Sequence, residues 1–238
     1  MKTGQGPCVS VVMAVYNCAR YIQGSIESII EQTFTDWEFV IIDDGSNDGT
    51  SMLLERFCND PRIKVIRQNN LGLTKSLNIG LKIAQGKYIA RQDADDVSFP
   101  ARIAKQVDFL DSKPDFGLVG TWAEWTDEND TCLQILDYPT MDNDIQETLM
   151  KKCCFTHGSV VMRKSAVDDV GGYCEDFFLA QDYDLWLRIA EKFKVANLSE
   201  VLYKYRKVKE GISCQMYLKR QKYKQIALER AQIRRRGN

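Results

Sequence analysis

Three carboxylates fall within four positions at Asp93-Ala94-Asp95-Asp96. Like charges this close repel, and burying them unpaired is costly. A divalent cation with oxygen ligands relieves both problems. Taken alone, the cluster reads first as a solvated acidic turn. A second acidic pair, Asp43-Asp44, runs into Gly45-Ser46, and a third group, Gln181-Asp182-Tyr183-Asp184-Leu185-Trp186-Leu187-Arg188, opens a helical pattern with two carboxylates. His157 is the only histidine, and a lone histidine is more often structural than catalytic. Glycine-rich phosphate loops of the GxGxxG or GxxxxGK[ST] type are absent, so neither a dinucleotide fold nor a P-loop is supported.

The elements that must hold these residues can be read from periodicity. Val9–Val15 is a short, β-branched apolar run and reads as a buried parallel strand. Tyr16-Asn17 follows, with Asn17 as the candidate cap of a helix carrying Ile22, Ile26, Ile29 and Ile30. Trp37–Ile42 is a second strand ending in Asp43-Asp44. Asp48-Gly49-Thr50 can cap the next helix, which carries Met52, Leu53 and Phe57. Ile63–Ile66 is a third strand, and Leu77, Leu81 and Ala84 mark a third helix. Tyr88–Ala90 then leads into the acidic cluster. Strand and helix alternate four times with short connections, which predicts a parallel sheet with helices on both faces. Two strands end in carboxylates, where open α/β sheets bind their ligands.

The second half has a mixed pattern. Helices are expected at 100–112, 142–152 and from Gln181 through Lys192. Strands are expected at 116–120, 122–125, 132–136, 159–162 and 201–205. The Asp127–Asp130 turn makes a hairpin of two of them. No Pro/Gly-rich linker divides the halves. From Lys204 to Arg236 twelve Lys/Arg face two Glu, about +10, so the rest of a chain of net charge −1 is about −11. The tail reads as a long helix from 213 to about 235, with Met216, Tyr217, Tyr223, Ile226, Leu228 and Ile233 on its apolar side. Such a helix can lie on an anionic membrane surface or dock on the core with a solvated basic face. No stretch has the length of a membrane span or the form of an export signal. The 8 cysteines are scattered without CxxC spacing, which argues against zinc and for reduced thiols in a cytoplasm.

Several motifs agree in order and spacing with one family. Val12-Met-Ala-Val-Tyr-Asn17, Asp43-Asp-Gly-Ser46, Asn78-Ile-Gly80, Gly86-Lys-Tyr-Ile89, Asp93-Ala-Asp95-Asp96 with Pro100 and Arg102, and Gln181–Arg188 together resemble the inverting glycosyltransferases of family 2, close to small bacterial members that build surface polysaccharides. The resemblance covers about Val9 to Ser213. It implies the GT-A fold: an α/β, Rossmann-like and mostly parallel central sheet with helices on both faces, a smaller mixed acceptor-side sheet and the C-terminal basic helix. It implies one domain over 1–238, with a nucleotide-sugar lobe at 8–97, an acceptor lobe at 98–212 and the basic helix at 213–238. The expected activity is metal-dependent, inverting transfer of a hexosyl or N-acetylhexosaminyl group from a nucleotide-diphosphate sugar, a UDP-sugar by family habit. The acceptor is the hydroxyl of a glycan or lipid-linked molecule of the cell envelope.

The resemblance also assigns roles residue by residue. Ala14, Val15 and Tyr16 line the nucleotide, with Tyr16 stacking on the base. Asp43 bonds the uracil or ribose, and Asp93 the ribose. Asp95, with Asp96, holds Mn²⁺ or Mg²⁺ at the diphosphate. Asp182 is the catalytic base, and burial is expected to restore the basicity that a helix N-terminus removes. The cationic contact to the diphosphate falls to Lys75 or Arg67, since the position often occupied by Arg is Leu77. Arg206, His157 and Trp186 are the remaining diphosphate or acceptor candidates. The family's YRxH pattern is Tyr205-Arg206-Lys207-Val208 here, so its histidine is replaced. A sugar nucleotidyltransferase is disfavoured because the loop after the first strand, Ala14–Cys18, has no glycine. A silent nucleotide-sugar-binding subunit is disfavoured by the intact Asp43, Asp95 and Asp182. A nucleic-acid partner is not expected. A cytoplasmic protein, peripheral on the inner face of the plasma membrane, is.

Overall fold

A computed structural model describes residues 6–207 and 216–236. Strands β1 (Val9–Val15), β2 (Trp37–Asp43), β3 (Ile63–Arg67) and β4 (Tyr88–Arg91) alternate with helices α1 (Ile22–Ile30), α2 (Thr50–Glu55) and α3 (Leu73–Ile83). After them come β5 (Val97–Ser98), α4 (Arg102–Ser112), β6 (Phe116–Thr126), β7 (Cys132–Leu136), α5 (Asp142–Leu149), a 3-10 turn at His157–Ser159, β8 (Val161–Arg163), α6 (Lys164–Asp169), α7 (Gln181–Ala190), β9 (Lys194–Arg206) and α8 (Tyr217–Arg236).

Among the described residues the nine strands belong to one sheet in the order β3-β2-β1-β4-β8-β6-β9-β5, with β7 on β6. The first four run parallel. The mixed part joins them through the antiparallel β4–β8 pair. β1 and β2 are buried along their whole length, as strands covered on both faces must be. Their side chains alternate between two cores. Val12, Ala14, Val40 and Ile42 face α3, α7 and α8. Val11, Met13, Phe39 and Ile41 face α1, α2 and α4. Complete burial of each such aliphatic side chain contributes about 1.5–3 kcal/mol, so the central strands are the most firmly held part of the chain.

Several local expectations are revised. Asn17 does not cap α1, which begins five residues later behind Tyr21. Instead its amide donates to Ser46 Oγ (3.0 Å) and its Oδ1 accepts from the Asn47 amide (2.8 Å), lacing the loops after β1 and β2 together. The strands expected at 116–120 and 122–125 are one strand, β6, with register shifts against β9. β9 begins at Lys194, seven residues before the predicted Val201. β5 and α6 were not foreseen.

The basic C-terminal helix docks on the core. Ala227 and Ala231, one turn apart, are fully buried, and Tyr223, Ile226 and Leu228 pack beside them. Ile233, expected on the apolar side, is 70% exposed, and Leu218 is 82% exposed. Small side chains at i and i+4 let the helix approach closely, a criterion that hydrophobicity alone does not capture. Arg234 grips Glu191 through two bonds (2.7 and 2.8 Å), and Arg230 meets Asp176 at 3.3 Å. The Tyr217 side chain and residues 213–215 and 237–238 of the predicted helix lie outside the described residues. Among the described residues no helix is long and apolar enough to cross a membrane.

Candidate active site

The parallel strands β2, β1 and β4 are neighbours, and β1 has a partner on each side. Their carboxyl ends therefore flank a topological switch point. Register sets Val15 beside Asp43 and Val12 beside Arg91. Ala14 and Val15 are buried at the end of β1, while Tyr16, the next residue, is 50% exposed. Tyr16 thus follows directly on the residue paired with Asp43 and is half-exposed.

Asp43 is 1% exposed. Its Oδ1 accepts from the Ser46 amide at 3.0 Å, its Oδ2 accepts from the Ser51 hydroxyl, and Arg67 Nε lies 4.0 Å away. Each carboxylate oxygen accepts two bonds, so the group keeps acceptor capacity toward a ligand. Asp44 is structural: it accepts from Gln68 Nε2 and from the Leu71 and Gly72 amides, which fixes the turn into α3. Lys75 stands exposed in the first turn of α3, whereas Arg67 is engaged with Glu55 at 2.8 Å.

The acidic cluster hangs from β4, which extends to Arg91. Arg91 is fully buried. Its guanidinium donates to Val12 O, to Gln92 O and to Asp93 Oδ1, and its Nε donates to His157 Nε2 at 3.2 Å. The Asp93 amide donates to the Tyr203 hydroxyl. Burial, then the charge of Asp93, pushes the Asp95 carboxyl up to about 6. Asp96 is also pushed up, by burial and by Asp95. Asp96 Oδ1 accepts from the Arg206 amide at 2.8 Å, while its Oδ2 is buried without a hydrogen-bond partner. Among the described residues no three His, Cys, Asp or Glu side chains gather as a ready-made metal site. Two adjacent, mutually repelling carboxylates, one with an orphaned oxygen, do fit a cation whose other ligands are phosphate oxygens and water.

Arg206 is 7% exposed. Its guanidinium donates to Asp95 O and to Asp130 (2.6 Å) and lies over the Tyr21 ring. It braces the acidic loop against the β6–β7 turn.

Asp182 opens α7 and is 5% exposed. The preceding Ala180 takes a left-handed φ of 58°, which sets the angle at which α7 enters. Burial pushes the Asp182 carboxyl up, but His157, Arg220, the Tyr183 amide and Lys224 together hold it below the usual range. The expected rise in basicity is therefore reversed: cations outweigh burial. Burial, joined by Arg91, pushes His157 down to about 4. The Arg91 Nε–H can only donate, so His157 Nε2 is the acceptor. The Tyr173 hydroxyl lies 2.8 Å from the same nitrogen and shares its single lone pair, so the ring proton resides on Nδ1. Trp186 does not line an open face; it is wholly buried, edge-on to His157 with centroids 6.0 Å apart.

Arg91 thus ties Asp93 to His157, whose ring feels both Asp93 and Asp182. Sequence reasoning missed Arg91, Tyr203 and Tyr173. The strand carrying Arg91 was detectable, but an arginine one place past its predicted end carries no sign of being buried.

Buried carboxylates thus stand at the ends of the parallel strands and at the start of α7, and similarity to known proteins bears on their chemistry. A model of "Glycosyl transferase family 2" matches residues 10–171, a stretch that ends before Asp182. EpsE of Bacillus subtilis is 40% identical over 208 residues, covering 84% of this chain and 73% of EpsE. The O-antigen biosynthesis glycosyltransferase WbnJ of Escherichia coli is 36% identical, covering 83% and 79%. Among solved structures, S. aureus TarS 1-349 in complex with UDP-GlcNAc has a TM-score of 0.72 at 22% identity, covering 87% of this chain and 60% of that one. The mannosyltransferase PcManGT from Pyrobaculum calidifontis, in complex with GDP-Man and Mn2+, has a TM-score of 0.70 at 20% identity, covering 97% and 65%. At those identities the likeness speaks for the fold, which is GT-A. With the family model spanning most of the chain and the carboxylates at the sheet's switch point, this chain belongs to glycosyltransferase family 2.

Proposed function

We propose that the chain is a metal-dependent, inverting transferase that moves a hexosyl or N-acetylhexosaminyl group from a nucleotide-diphosphate sugar, a UDP-sugar first of all, to a hydroxyl of a glycan or lipid-linked acceptor in cell-envelope polysaccharide biosynthesis. The observation that carries this reading is Asp182, a buried carboxylate held ionised beside the network that begins at Asp93. In this reading 8–97 forms the donor lobe and 98–212 the acceptor lobe. Tyr16 stacks on the base, between Ala14-Val15 and Asp43. Asp43 and Asp93 receive hydrogen bonds from the nucleoside, and Lys75 neutralises diphosphate charge. Asp95, with Asp96, would hold Mn²⁺ or Mg²⁺, which stabilises the departing diphosphate as a Lewis acid.

The acceptor oxygen bonds the anomeric carbon as the bond to the diphosphate breaks, and its proton passes to Asp182. One in-line displacement inverts the centre and needs no nucleophile from the protein. Because Asp182 is held below the usual range, it takes the proton late, once the attacking oxygen has become acidic. At neutral pH His157 carries no charge; in the acid range, where Asp182 itself titrates, its protonation helps to hold the carboxylate ionised. The exposed Lys219, Lys222, Arg235 and Arg236 of α8, with Leu218 and Ile233, suit peripheral contact with an anionic membrane on the cytoplasmic side.

A panel of UDP-, GDP- and TDP-sugars with Mn²⁺ tests the reading through release of nucleoside diphosphate. Release from one donor, lost in Asp95→Ala and in Asp182→Asn, supports it. Failure of every nucleotide sugar to bind, measured by calorimetry, overturns it.

A further inference from the structure

Among the described residues, groups from four elements face Asp182. His157 comes from the 3-10 turn, Cys153 from the segment after α5, Tyr173 from the segment after α6, and Arg220 and Lys224 from α8. Burial pushes the Cys153 thiol up to about 12 and raises the Tyr173 phenol, so both are neutral, as is His157. At neutral pH the cations that the described residues bring to the candidate base therefore come from α8; in the acid range protonated His157 joins them. Arg220 Nη2 lies 3.8 Å from Asp182 Oδ2, with the carboxylate 7% and the guanidinium 29% exposed.

The position of Arg220 is set by the docking of its helix. Asp182 meets Arg220 near the start of both helices, and Glu191 meets Arg234 near the end of both. The helices therefore lie side by side in the same direction. Ala227 and Ala231 close the gap between them, Tyr223 packs on Phe177, and Arg230 holds Asp176. Contacts along more than three turns deliver one guanidinium to the first turn of α7. An α7 carboxylate at a helix N-terminus already has a favourable dipole, so the added cation is not required for helix stability.

We propose that Arg220 is a positioning residue for Asp182: α8 returns over the acceptor side and holds the base's carboxylate by an ion pair, which makes the C-terminal helix part of the catalytic apparatus. The proposal rests on the reading of Asp182 as the base. Two consequences follow. The carboxylate stays ionised to lower pH than burial alone would allow, and its oxygen keeps one orientation toward the incoming hydroxyl. Removing the guanidinium frees the rotamer and moves the titration upward.

The test uses the full chain with Asp residues ¹³C-labelled at the carboxyl, and Asp182→Asn to identify the Asp182 signal. Arg220→Gln should raise the midpoint of that signal, and Arg220→Lys should restore most of the wild-type value. Donor hydrolysis should fall in kcat by up to about 10²-fold in Arg220→Gln, with donor Kd unchanged and the acid limb of the pH profile displaced upward. Arg230→Gln, which weakens docking at Asp176 without touching Asp182, should leave midpoint and limb in place. An unmoved Asp182 midpoint in folded Arg220→Gln overturns the proposal. So does an equal displacement in Arg230→Gln, which would assign the effect to helix docking alone. If Asp182→Asn retains full turnover, the base assignment itself falls. An inactive Asp182→Asn with a wild-type Arg220→Gln removes only the role of Arg220.

Discussion

As the only histidine, His157 can be followed without assignment. Burial and Arg91 put its folded pKa at about 4, against 6.5 for a free imidazole. A depressed folded value means that its contribution to stability is complete above pH 6.5 and is lost as pH falls through about 4. A gap of about 2.5 pH units is worth roughly 3 kcal/mol. Asp95 works in the opposite sense. Burial and Asp93 raise it from 3.8 to about 6, so its contribution is complete below pH 3.8 and is lost as pH rises through about 6. His157 and Asp95 thus act in opposite senses, and Asp96, raised by burial and by Asp95, acts in the same sense as Asp95. Urea denaturation of the metal-free protein should show the opposition in the variants. With rising pH, His157→Gln should lose stability more steeply than the wild type, and Asp95→Asn less steeply. Imidazole ¹⁵N NMR should find native His157 titrating near 4 with its neutral proton on Nδ1. Titration near 6.5, or a proton on Nε2, would refute the account of the Arg91–His157 contact. Parallel pH slopes in the two variants would refute the opposition of His157 and Asp95.

Other consequences are local. A methyl group at Gly158 would stand 1.8 Å from the Tyr203 hydroxyl and 3.0 Å from Asp93 Oδ2; Gly158→Ala should cost about 1–3 kcal/mol and weaken donor binding, read by thermal unfolding and calorimetry. Ala180 has φ 58°, so Ala180→Gly should be neutral or stabilising by about 1 kcal/mol, whereas Ala180→Val should destabilise; equal melting temperatures for the two would contradict the strain. Ala231→Glu should cost about 2 kcal/mol or more by placing a charge in the α7–α8 seam. Ile233→Glu, on the 70% exposed side, should change stability by less than about 0.5 kcal/mol; denaturant midpoints separate the two.

The sequence by itself determined the parallel half of the sheet. Burial on both faces leaves unbroken β-branched runs, and helical spacing marks what covers them, so Val9–Val15, Trp37–Ile42 and the Ile22–Ile30 stripe were legible locally. It also determined that β2 and β4 run into carboxylates, since a strand's end and the residues after it are adjacent in the chain. Only the tertiary structure decided the rest. The order β4-β8-β6-β9-β5 depends on pairings between distant segments, and the two-residue β5 exists only because β9 lies beside it. Arg91 became the link between Asp93 and His157 through a contact spanning 66 residues. The face that α8 presents was decided by two alanines that fit closely rather than by the larger apolar residues that pattern favours. The basicity of Asp182 was decided by His157 and by the cations that α8 brings beside it. Periodicity records which residues avoid water; which charged groups meet is set by long-range packing, and that governs the chemistry of the site.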